Sequence, residues 1–68
     1  MPGTYKITEL VGTSPTSFAE ATKAAVAEAA KTVRNMEWFQ VVEERGKIKD
    51  GAVAEFQVTL KIGFRIER

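Results

Sequence analysis

The chain has 68 residues, ten basic and nine acidic, with no cysteine and no histidine. Disulfides, thiolate or imidazole metal sites and Cys/His chemistry are thereby excluded, and carboxylates and backbone oxygens are the only metal ligands left. A net charge of +1 without a basic cluster argues against a general nucleic-acid or membrane-surface binder.

So short a chain reads as one domain over 1–68, burying only about 60% of the surface its unfolded form exposes. Without disulfides, partner subunits are the remaining source of stability, and an oligomer is expected. No apolar run approaches the ~20 residues of a membrane span, and the N-terminus carries no signal-peptide core. The expected compartment is the cytoplasm.

Thr4 to Val11 (TYKITELV) is rich in β-branched and aromatic residues and reads as a first strand, with Tyr5, Ile7 and Glu9 on one face. Gly12, Thr13, Ser14 and Pro15 are expected to stop it. Ser17 with Glu20 three residues on fits a capping box, and Ser14-Pro15 is the competing helix start. From Phe18 to about Asn35 the chain is dense in alanine, glutamate and lysine. Phe18, Ala21, Ala25, Ala29, Val33 and Met36 form one apolar stripe, and so many alanines imply close packing against a sheet. Lys31 and Arg34 are placed in the last turn, where cations favour the macrodipole.

Glu37 to Ile48 reads as the second strand. Trp38, Gln40 and Val42 point one way, and Phe39 and Val41 the other. If Phe39 fills the helix side, Trp38 lies on the opposite face, where an indole makes a stacking surface. Lys49-Asp50-Gly51 supplies a tight turn into an antiparallel hairpin.

The last stretch, Ala52 to Glu67, carries the strongest pattern. Its even positions are all apolar (Ala52, Ala54, Phe56, Val58, Leu60, Ile62, Phe64, Ile66), and its odd positions are polar apart from Val53 and Gly63. That is a strand with one dry face. Sixteen extended residues span about 50 Å, more than a domain this small can use within its own body. Gly63 marks a bend or a close approach by another backbone. The order β-α-β-β predicts an α+β fold, a three-stranded antiparallel sheet packed on one helix. One helix covers one face, so the other is left for water, ligand or neighbours.

Catalytic chemistry finds no base beside Ser14 or Ser17, and GTSPTS lacks the spacing and lysine of a phosphate loop. No enzyme is expected. Four residues can bind instead. Trp38 is either a core aromatic or a stacking platform. The Gln57 amide offers donors and an acceptor to a pyrimidine-like edge. Arg45 and Arg65 present planar forks to phosphate, or else pair with Glu43, Glu55 or Glu67.

As a set these residues resemble the dodecin family. The matching stretches are LVGTS at 10–14, WFQV at 38–41 with Arg45-Gly46 following, and FQVTLKIGFR at 56–65. The resemblance implies a hollow dodecamer of β-α-β-β subunits that binds flavins and is not an enzyme. A tryptophan at the position of Trp38 would stack on the isoalloxazine ring, with two flavins between symmetry-related tryptophans. A glutamine at Gln57 would bond its pyrimidine part, and Arg45 and Arg65 are linked with FMN. Some members bind coenzyme A, which these residues neither support nor oppose. Gln40 stands where the family's glutamate is expected. The implied role is flavin storage, buffering or protection from light. The reading from another class is an oligomeric interaction module with Trp38 in an interface and no ligand.

Overall fold

The computed structural model describes residues 3–66. Its elements are β1 (Tyr5–Ser14), α1 (Phe18–Ala29), β2 (Met36–Lys49) and β3 (Ala52–Arg65). The sheet is antiparallel with order β1-β3-β2, so the strand with the strongest alternation is the central one. A central strand must satisfy neighbours on both edges and keep one face dry, which is why its sequence is the most regular.

The expected β-α-β-β architecture is present: α1 lies against β1 and β3 on one side of the sheet. The core is Val58, Leu60 and Ile62 of β3 against Ala21 and Ala25 of α1. Phe18 and Phe56 close one end with rings edge to face at 5.0 Å. Ser17 caps the helix through its Oγ, which accepts from the Glu20 N–H at 3.0 Å. The Ser17 start is therefore the correct one of the two. Ser14 bonds the Thr16 N–H instead.

Three expectations are corrected. β1 does not stop at Val11 but runs through Gly12, Thr13 and Ser14, which pair with Val58, Gln57 and Phe56. Gly12 is not a strand breaker here. A Cβ on it would lie 2.2 Å from the Ala21 carbonyl oxygen, so its hydrogen lets the helix press onto the strand. The helix ends at Ala29 rather than near Asn35. Asn35 takes φ 62, a left-handed conformation that asparagine tolerates and that turns the chain into β2. Lys31 and Arg34 consequently lie beyond the last turn, and Lys31 pairs with Glu28 at 3.2 Å. β3 ends at Arg65, and Glu67 lies outside the described residues.

The fold measures 53 × 20 × 13 Å, so its length matches that of an extended strand. The helix covers only one half of the hairpin. At the far end Ile48 and Val53 remain 77% and 61% exposed beside the turn. Asp50 and Gly51 both have positive φ there, as the tightest hairpin turns require. Phe39 does face the helix side, but α1 sits over β1 and β3, so its ring stays 53% exposed. Between it and Ala19, Thr22, Lys23, Val26 and Ala27 runs an open groove of about 600 Å³.

Candidate functional site

The face turned away from the helix carries all four singled-out residues. Trp38 opposes Gly63, Arg45 opposes Gln57, and Arg65 opposes Tyr5. They form two groups. Gly63 lies six residue steps along β3 from Gln57, which is about 20 Å along an extended strand. Trp38 and Arg65 stand near one end, and Arg45 and Gln57 near the middle.

At the first group, β2 is irregular between Met36 and Trp38. The extra residue is Glu37, so Met36 packs on the core while Trp38, two places on, faces the other way. The indole lies over Gly63: a Cβ built there would fall 2.1 Å from its Cζ2 and 2.2 Å from its Cε2. The sequence predicts a bend or an approach by another backbone at Gly63. The close neighbour is instead a side chain, and it buries the glycine. Tyr5 flanks the indole from β1, centroids 5.0 Å apart and planes inclined by 58°. Its hydroxyl donates to Glu37 Oε1 at 3.2 Å. Held on two sides, the indole still has 42% of its surface exposed. Arg65 is exposed, its guanidinium beside Gly3.

At the second group a further irregularity falls between Val41 and Glu43. Strict alternation from Trp38 would send Arg45 to the helix side. With Val42 as the extra residue, Glu43 and Arg45 join the face of Trp38 and Gln57. Arg45 Nη2 donates to Glu43 Oε1 and to Thr59 Oγ1, each at 2.7 Å. Its Nη1 donates to Gln57 Oε1 at 3.3 Å, and Gln57 Nε2 donates to Glu55 Oε1 at 2.9 Å. Of the two roles weighed for Arg45, an ion pair is present, with Glu43, but it runs along β2 rather than across strands. The network fixes the Gln57 amide orientation, since Nε2 faces a carboxylate and Oε1 a guanidinium. Gln40, opposite Lys61, shares this face as alternation requires.

Tyr5, Glu37 and Thr59 were not singled out in the sequence. Tyr5 shares a face with Ile7 and Glu9 as alternation predicts, but no local signal shows that β1 is brought beside β3 in this register. Among the described residues no three metal-ligating side chains gather, and no helix is long and apolar enough to cross a membrane. What the face offers is an exposed flat indole at one point and an oriented amide with a guanidinium at another. An indole of that kind can stack on a flat ring, and an amide with a guanidinium can bond a polar or anionic edge.

The comparisons define the family. Residues 4–67 match the Dodecin family model. The Dodecin of Thermus thermophilus is 51% identical over 63 residues, covering 93% of this chain and 91% of the relative. The solved structure of dodecin from Streptomyces coelicolor superposes with a TM-score of 0.94 at 50% identity, covering 97% and 94% of the two chains. A more distant relative, the calcium dodecin of Mycobacterium tuberculosis, is 27% identical over 91% of this chain and 87% of its own. The chain belongs to the dodecin family. Solved structures of the Thermus dodecin include variants named R65A, R45A and W38F, each matching with a TM-score of 0.94.

Proposed function

We propose that this chain is a non-enzymatic flavin-binding protein of the cytoplasm. It holds FMN, or another flavin such as riboflavin, in a homododecameric shell, where the flavin is stored, buffered and shielded from light. The observation that carries the reading is Trp38. A tryptophan pinned flat on a glycine and flanked by one tyrosine, yet 42% exposed, is oriented for an external ring rather than for the core.

In this reading Trp38 stacks on the isoalloxazine ring and Gln57 bonds its pyrimidine edge through the amide that Arg45 and Glu55 orient. Arg45 and Arg65 bind phosphate. With about 20 Å between the two groups along β3, one small ring cannot touch both within one subunit. A complete site therefore draws on more than one copy of the chain, which agrees with the uncovered sheet face and the protruding hairpin. The flavin, when bound, supplies the light-absorbing, electron-accepting ring, and this chain supplies its orientation and a nearby electron donor. Coenzyme A has only the same two guanidiniums to recommend it. Calcium, in the Mycobacterium relative's name, finds no gathered carboxylates among the described residues.

The test is FMN titration followed by quenching of flavin emission, on a sample of known assembly mass. Wild type is expected to quench and to be a dodecamer. Trp38→Ala is expected to keep the assembly, lose at least tenfold in affinity (about 1.4 kcal/mol) and restore emission. Undiminished affinity in that variant overturns the assignment of Trp38. No binding by an intact wild-type assembly overturns the flavin reading in favour of a ligand-free interaction module. The exposed Ile7, Val11, Ile48 and Val53 are the observation that favours that second reading.

A further inference from the structure

The chain contains one tryptophan and one tyrosine, and the fold puts them in contact. They come from the two edge strands and meet over β3 where Gly63 has no side chain to separate them. Indole and phenol are the side chains that most readily give up a single electron, and no cysteine competes with them. The phenol has a third partner. Its O–H points at Glu37 Oε1, 3.2 Å away, on the residue next to Trp38 in sequence. Phenol oxidation is favourable only if the acidic proton of the radical cation has somewhere to go, and a carboxylate within hydrogen-bond reach is such a place. Packing support for an indole needs neither a hydroxyl nor a carboxylate aimed at it.

We propose that Tyr5 and Glu37 form a proton-coupled electron relay that re-reduces Trp38 after it has lost an electron. The proposal rests on the flavin reading only for the identity of the oxidant, a photoexcited flavin. The relay starts from the indole radical cation. One electron passes from the Tyr5 phenol to the indole across the 5.0 Å ring contact. The Tyr5 O–H bond breaks, its proton passes to Glu37 Oε1, and the products are a neutral closed-shell indole, a neutral phenoxyl radical and a protonated carboxyl. When the reduced oxidant returns its electron to the phenoxyl, the proton comes back from Glu37 and the O–H bond reforms. No atom or electron is consumed. The benefit is to Trp38, whose oxidised indole would otherwise be open to irreversible attack by dioxygen or water. A residue that must survive many light cycles thus has a local means of repair.

The experiment uses the intact assembly without flavin. A soluble photogenerated ruthenium(III) polypyridyl complex serves as the one-electron oxidant, and transient absorption follows the indole and phenoxyl radicals. In wild type the indole signal is expected to decay as the phenoxyl signal grows. Tyr5→Phe keeps the ring and removes the transferable proton. Its indole radical is expected to persist several-fold longer with no phenoxyl, and irreversible Trp38 oxidation under sustained illumination to rise. Glu37→Gln is expected to slow phenoxyl growth several-fold. Equal indole lifetimes in wild type and Tyr5→Phe overturn the relay. So does phenoxyl growth in Trp38→Phe as fast as in wild type, since Tyr5 would then be oxidised directly. Unchanged phenoxyl growth in Glu37→Gln overturns the part assigned to the carboxylate. Because no flavin is present, a failed relay leaves flavin binding intact, and a failed FMN titration leaves the relay standing.

Discussion

Each face of the sheet has a glycine against which something packs closely, and the two glycines serve different ends. Gly12 on the helix face lies under the Ala21 carbonyl, and Gly63 on the open face lies under the Trp38 ring. Neither has a positive φ, so backbone conformation alone demands glycine at neither. The difference lies in what sits above. A helix backbone tied into its own hydrogen bonds cannot retreat from a new methyl group, whereas an indole on one rotatable stem can. Close packing on the first face holds the fold together, and on the second it aims one side chain.

The contrast is tested most strongly on β3, where Leu60 and Thr59 are neighbours facing opposite ways. Leu60→Ala removes fully buried volume and should cost about 4 kcal/mol, read by urea unfolding at fixed protein concentration. Gly12→Ala should follow at about 3 kcal/mol, because Ala21 and Ala25 are both in the way. A loss under about 1 kcal/mol there would show that the helix can lift, and would end the distinction between the faces. Thr59→Val keeps the shape and removes the hydroxyl that Arg45 bonds. Its cost should be about 1 kcal/mol, with Arg45 keeping Glu43.

The smallest stability effect should be Gly63→Ala. The gain from a stiffer unfolded chain, about 0.4–1 kcal/mol, offsets part of the clash. The indole must still move, so Trp38 emission should shift and FMN quenching weaken while the unfolding midpoint barely changes. A destabilisation equal to that of Gly12→Ala would mean that both glycines are structural.

Legibility in the sequence followed local regularity. The alternation of Ala52 to Glu67 announced the central strand, and Ser17 with Glu20 announced the helix start. The face of Trp38 was only half legible, since it followed from Phe39 filling the helix side, and nothing local excluded a core tryptophan. What could not be read were single-residue irregularities. Val42 becomes an unpaired extra residue in a run, VVEER, that contains no glycine or proline to mark it, and Arg45 changes face as a result. The helix end was hidden because Lys31, Thr32, Val33 and Arg34 prolong both the composition and the apolar spacing, while the turn depends on Asn35 alone. Gly12 was read as a stop because a glycine that admits a helix and one that ends a strand look alike in one dimension. The contact of Tyr5 with Trp38 depends on pairing across the whole chain, which no local window holds.

The strand order β1-β3-β2 also has a consequence in time. Of the three described strands, β1 comes first in the chain and pairs with β3, which comes last, so β1 and α1 have each other but no sheet to join until β3 is made. The β2–β3 hairpin can form as soon as its own residues emerge, but the core of Ala21, Ala25, Val58, Leu60 and Ile62 closes only after β3 is made. Folding therefore waits on β3, whose pairing with β1 spans the longest stretch of chain in the sheet.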